Sequence, residues 1–170
     1  MTNRIDPAEI PLARRVVLLK TLPSFDALAP EVLEGIANSL GEERFDSGVV
    51  IMHESQFGNL MYLIESGVVD VSTDGPTGEV QLGKLGEGDR FGEVSFQSST
   101  RRRRATVRAL TPVVTLTLRS DQFERIAALY PDIRTDLACA ASAFMQARLE
   151  ALMGAKAQKM DGLSKSPLGF

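Results

Sequence analysis

The chain holds one cysteine and one histidine among its 170 residues. A single cysteine, Cys139, excludes an internal disulfide and suits a reducing compartment. One His and one Cys together exclude a metal centre built from several such ligands. No pattern around His53 supports a Ser-His or Cys-His arrangement that would activate a nucleophile. His53 reads as a structural residue near a strand edge, and Cys139 as a small core residue among alanines. Long apolar runs are missing too, so no segment reaches the length that spans a membrane. The N-terminal region carries Asp6, Glu9, Arg14 and Arg15, and its longest apolar run, residues 16–19, is too short for a secretory signal. The formal net charge is −3, without the positive excess of a dedicated nucleic-acid binder. These absences lead us to expect a cytoplasmic chain with no catalytic residues, no metal, no nucleic-acid partner and no membrane contact.

What is present is a globular composition, 44% hydrophobic and 24% charged, which rules against disorder. Residues 7–20 read as a helix that starts at Pro7 and places Ile10, Ala13, Val17 and Leu18 on one face. A second helix is predicted over 30–40. Short apolar runs follow at 49–52, 60–64, 68–71, 80–85, 105–110 and 113–118, with Gly or Pro in most of the gaps. This spacing predicts seven or eight short antiparallel strands. Asp74-Gly75 marks a hairpin tip, and Pro76 and Gly78 suggest a loop of more than two residues. Helical periodicity returns at Ser120 or Asp121. A longer helix after Pro131 carries Ile133, Leu137, Ala140, Ala141, Phe144, Arg148, Leu149 and Leu152 at i, i+4, i+7 spacing, and Gly154 is the expected stop. Phe144, Met145 and Leu149 read as core, with a homodimer seam as the other reading. Residues 155–170 read as a mobile tail. The predicted fold is α+β: an antiparallel, jelly-roll-like β-roll of about eight strands, flanked by helices from both ends. We expect an N-terminal helical segment at 1–24, one binding domain with lid helices at 25–153, and a tail at 154–170.

The chemistry concentrates between Phe91 and Val107. Gly92 has no side chain to keep a ligand from the backbone. A short helical turn over 93–96 would present unpaired N–H groups to an anion. The carboxylate of Glu93 can accept hydrogen bonds from a ribose hydroxyl. Gly86, Gly88 and Gly92 do not have the dinucleotide-fold spacing. Next come four consecutive arginines, 101–104. Strand alternation separates them: Ala105, Val107 and Ala109 form the inward set, and Arg103 shares their parity. An inward arginine needs an anionic partner, and phosphate suits the guanidinium fork. Arg101, Arg102 and Arg104 read as a solvated turn.

Phe91-Gly92-Glu93, followed by Arg103-Arg104-Ala105-Thr106-Val107, resembles the phosphate-binding cassette of the cyclic nucleotide-binding domain family. That family includes protein kinase A regulatory subunits, cyclic-nucleotide-gated channels and catabolite-activator-type regulators. Residues 60–69 resemble its Y-x-I-x-x-G-x-V strand pair, and residues 18–25 its start. The resemblance implies that Glu93 binds the ribose 2′-hydroxyl and Arg103 the cyclic phosphate. It also implies that backbone groups of Gly92, Val94 and Ser95 line the sugar-phosphate, and that residues 140–148 form a lid. The ligand-binding set is then Phe91, Gly92, Glu93, Val94, Ser95, Arg103, Arg104 and Ala105. The expected ligand is cAMP, with cGMP as the alternative, and the expected role is a regulatory sensor acting on an effector not identified by the sequence.

Three positions depart from the family pattern. The spacer between Glu93 and Arg103 is one residue longer, Arg104 stands where a small residue is usual, and Ser55 stands where glycine is usual. Two alternatives stay open at this point: a degenerate domain serving as an interaction module, and the sensor part of a transcription regulator. The segment after Gly154 is too short for a helix-turn-helix domain, so direct DNA reading by this chain is not expected.

Overall fold

The computed structural model describes residues 9–164. Helix α1 spans Leu12–Leu19, α2 Pro30–Ser39, and the strands follow as β1 Gly41–Phe45, β2 Val50–Met52, β3 Leu60–Ser66, β4 Val69–Gly75, β5 Gly78–Leu85 and β6 Arg90–Phe91. The short helix α3, Val94–Gln97, precedes β7 Thr106–Ala109 and β8 Val113–Arg119, and the chain continues into α4 Ser120–Leu129 and α5 Pro131–Ser164. Pro30 occupies the first turn of α2, where its missing N–H has no helical partner to lose. Pro11 rather than Pro7 precedes α1, and Pro7 lies outside the described residues.

The strands form two antiparallel four-stranded sheets, ordered β1-β8-β3-β6 and β2-β7-β4-β5. Strand β3 shows how they stack. Its Met61 and Leu63 face one cluster, with Leu18, Leu33, Leu116, Phe123 and Leu137. Its Tyr62 and Ile64 face a second cluster, with Val69, Phe91, Val107 and Val113. The first sheet is therefore buried on both faces, by the helices outside and by the second sheet inside. That is why the run from Leu60 to Ile64 reads as continuously apolar instead of alternating. The result is the α+β, jelly-roll-like roll that the spacing of the apolar runs predicts.

Several expectations need correction. Gly154 does not stop α5, which continues to Ser164. One exposed glycine costs a helix about 1 kcal/mol, and strong helix formers, Leu152, Met153, Ala155, Lys156 and Ala157, surround it. The part of the expected tail from 155 to 164 is thus helical, and the rest lies outside the described residues. Gly75 pairs directly with Gly78, so the hairpin loop is the two residues Pro76 and Thr77. Cys139 is exposed, and Leu149 is 58% exposed, because α5 turns those positions away from the sheet. No described helix is long and apolar enough to cross a membrane.

Candidate functional site

A cavity of about 320 Å³ opens inside the roll, between the second sheet, α3 and the middle of α5. That volume lies within the range of small-ligand sites. Its polar end is lined by Gly92, Glu93, Ser95 and Arg103, and its apolar end by Met52, Val71, Leu82 and Phe144. Lys84 and Arg104 line it from exposed positions. Phe91, Val94 and Ala105 line it as well, so every residue expected to bind ligand borders one cavity.

Burial alternates along the strand that enters at 103. Arg103, Ala105, Val107 and Ala109 are buried, whereas Arg104 and Arg108 are exposed. This is the alternation that the spacing of the small residues predicts. Arg103 is held from four sides. Its Nη1 donates to the Gly92 carbonyl at 3.0 Å and to Ser95 Oγ at 3.0 Å. Ser95 Oγ in turn donates to the same carbonyl at 2.9 Å. The guanidinium stands 6.0 Å above the Tyr62 ring, which stacks on Phe91 at 4.7 Å. Its main chain is fastened to the 53–58 loop, with Arg103 N donating to the Gln56 carbonyl at 2.8 Å and Ser55 N donating to the Arg103 carbonyl at 2.9 Å.

Two glycines make room for this arrangement. Gly92 has φ +90°, and a Cβ there would lie 2.7 Å from the Leu60 carbonyl and 2.9 Å from Arg103 Nη1. A Cβ at Gly58 would fall 1.9 Å from Arg103 Nε. In the sequence Gly58 is one of the glycines that punctuate the gaps between apolar runs. Its real constraint is a contact distant in sequence, which no local pattern reports. Ser55, which replaces the family glycine, keeps a glycine-like φ of +69°. Within the spacer, the chain turns where Arg101 N donates to the Ser98 carbonyl at 3.1 Å, with Arg101 at φ +51°. Arg101 is half-buried with Nη1 fully enclosed, so it is less solvated than expected. Arg102 and Arg104 are exposed.

The electrostatics are unusual for a structural pair. Burial holds the Arg103 guanidinium below its ordinary pKa, opposed by Tyr62 and by the charge of Glu93. Burial pushes the Glu93 carboxyl up, opposed by its own backbone N–H and by Arg90 and Arg103. The two act on each other through space only. Arg103 bonds to a carbonyl and a hydroxyl, and among the described residues no carboxylate pairs with it. A buried cation with only neutral partners is costly, and it is poised to take an anion.

A roll that sets a buried arginine, a buried glutamate and a close-approaching glycine around one small cavity defines a binding domain for an anionic sugar derivative. A family model described as the cyclic nucleotide-binding domain matches residues 42–130, and the chain belongs to that family. It is 36% identical over 108 residues to a cAMP-dependent protein kinase regulatory subunit of Debaryomyces hansenii, covering 64% of this chain and 23% of that protein. Among solved structures, cAMP-bound PfPKA-R superposes with a TM-score of 0.64 at 27% identity, over 71% of this chain and 43% of that one. The regulatory subunit of a cAMP-independent protein kinase A from Trypanosoma cruzi, bound to guanosine, gives a TM-score of 0.66 at 26% identity over 82% and 51%. The chain spans from about a tenth to a third of the length of curated relatives that it matches.

Proposed function

We propose that this domain binds a cyclic mononucleotide, cAMP foremost, and passes the binding event to its C-terminal helices. The observation that carries the reading is Arg103: a buried guanidinium, held by neutral partners, facing a cavity that also contains Glu93. In this reading Arg103 takes the cyclic phosphate through two hydrogen bonds. Glu93 accepts from the ribose 2′-hydroxyl. Gly92, Val94 and Ser95 supply backbone at the start of α3, where the first N–H groups have no helical partner. Phe91 and Ala105 shape the wall, and Arg104 adds positive charge at the rim. The apolar end, with Met52, Val71, Leu82 and Phe144, suits a flat purine. It offers no charged group to separate adenine from guanine, so the preference for cAMP rests on the cAMP-dependent and cAMP-bound relatives.

The cavity binds without bond-making chemistry. The Ser95 hydroxyl is occupied by Gly92 and Arg103, neither of which is a base. A nucleoside such as guanosine is the second reading, because one similar structure holds it. It would leave the buried Arg103 without an anion, and that disfavours it. We take residues 25–153 as the binding unit, with the N-terminal helical segment packed onto it. The effector is a separate partner or segment that senses α5.

Titration calorimetry with cAMP and cGMP tests the assignment. Arg103→Ala is expected to weaken cAMP binding by ~100-fold or more, since a charge-assisted bond is lost and the phosphate is left partly buried. Unchanged affinity in that variant would overturn the role of Arg103.

A further inference from the structure

The helix α5 does not merely lie near the cavity; a polar cluster ties it there. Arg148 Nη2 donates to Glu54 Oε1 at 2.7 Å, and Arg148 Nε donates to Thr73 Oγ1 at 3.0 Å. Thr73 Oγ1 donates to the same Glu54 oxygen at 2.8 Å. The other Glu54 oxygen accepts from Asp74 N at 2.7 Å. Glu54 N donates to Thr106 Oγ1 at 3.1 Å. The Arg148 and Glu54 side chains are 21% and 10% exposed, so the pair is largely shielded from water. Four separate stretches of chain meet here: the turn after β2, strands β4 and β7, and α5.

The placement of this cluster matters more than its stability. Glu54 lies two residues beyond Met52, and Thr73 two beyond Val71, and both Met52 and Val71 line the apolar end of the cavity. Phe144 lies one helical turn before Arg148, on the same face of α5, and it lines the cavity opposite them. A ligand leaving past Phe144 requires that turn of α5 to move. The Arg148–Glu54 bond is the anchor one turn away that resists the movement. We propose that Arg148 and Glu54 form a latch that holds α5 down and keeps Phe144 over the cavity, and so sets how long a bound cyclic nucleotide stays. Both are positioning residues: neither lines the cavity, and each acts through Phe144. The inference rests on the proposed function for its ligand, but the latch itself belongs to the protein alone.

Two measurements on the full chain separate the two ideas. The first uses a fluorescent cAMP analogue chased with unlabelled cAMP in a stopped-flow instrument. Arg148→Gln should raise the release rate about tenfold or more and change the association rate by less than about threefold, because a latch slows exit more than entry. Glu54→Gln should do the same, and the double variant should add little to either single change, as coupled partners do. Arg148→Lys should recover part of the slow release. The second is amide hydrogen exchange without nucleotide, in which residues 141–152 should exchange at least several-fold faster in Arg148→Gln, with unchanged protection in β3 and β8. If the unaltered protein binds no cyclic nucleotide, the functional reading fails and the exchange experiment alone decides the latch. Unchanged exchange of α5 overturns the latch, as does cAMP bound with unchanged release in the Arg148→Gln and Glu54→Gln variants.

Discussion

Glu93 and Arg103 reach the same cavity with opposite electrostatic costs. Burial raises the Glu93 pKa above its usual 4.5 and lowers that of Arg103. A raised folded-state pKa contributes stability below the ordinary value, and that contribution is lost as pH rises through the raised one. Glu93 in its ionised form is therefore a burden on the ligand-free fold. A ribose hydroxyl donating to the carboxylate favours its charged form and lowers the pKa again. In the pH window between the lowered and the raised pKa, binding should then release a proton, and affinity should climb with pH and level off once free Glu93 is ionised. Calorimetry in two buffers of different ionisation enthalpy measures the proton directly, with Glu93→Gln as the control in which it vanishes. No release across that window would remove Glu93 from the ribose. The pair itself was legible in the sequence: parity with Ala105, Val107 and Ala109 separates Arg103 from its three neighbours, and Gly92 marks the approach of the backbone. Gly58 and the Ser95 hydroxyl were not legible, because their contacts with Arg103 exist only once β3, α3 and the 53–58 loop are folded together.

At the scale of elements, legibility followed burial. Strand β3 and helix α2 carry apolar residues in strong patterns, and both lie close to where the sequence predicts them. Strand β1 reads Gly-Glu-Glu-Arg-Phe and has no such pattern, since it is an edge strand stabilised by pairing with β8. Strand β6 is two residues long, too short for any periodicity to show. The N-terminal helix is held by one side chain that the pattern assigned to no role. Arg15 is buried and donates to the carbonyls of Ile10, Ala37 and Leu40 at 2.9, 3.3 and 2.8 Å, and to Glu42 at 2.6 Å. It thereby joins α1, the end of α2 and β1. Arg15→Ala would remove a charged donor from three carbonyls and from the shielded Glu42 carboxylate, which among the described residues keeps only Ile10 N at 2.7 Å and Arg44 at 3.6 Å. We expect a loss of about 3 kcal/mol or more in urea unfolding. Affinity for cAMP should change by less than about threefold, because Arg15 lies on the helix side of the first sheet, away from the cavity. A large affinity loss with intact folding would show that α1 belongs to the binding machinery.

Across the whole molecule, the first sheet is the wall shared by both apolar clusters: Met61, Leu63, Leu116 and Leu118 face the helices, and Tyr62, Ile64 and Val113 face the cavity side. Neither cluster can lose its packing without exposing the other, so the described residues should unfold in one transition. Ligand binding to the native state then stabilises both clusters together, by about 1.4 kcal/mol for each tenfold rise in free ligand above Kd. For a chain of this size that corresponds to roughly 3–6 °C per decade of cAMP. Leu116→Ala opens a cavity on the helix side and should lower Tm by several degrees while leaving the slope against cAMP intact. Arg103→Ala should do the reverse, with a small effect on Tm without ligand and a slope that begins only at about hundredfold higher cAMP. Scanning calorimetry of the three proteins over a cAMP series distinguishes these outcomes. Two resolved transitions, with cAMP moving only one, would mean that the helices and the roll fold separately and that α5 reports binding by docking alone.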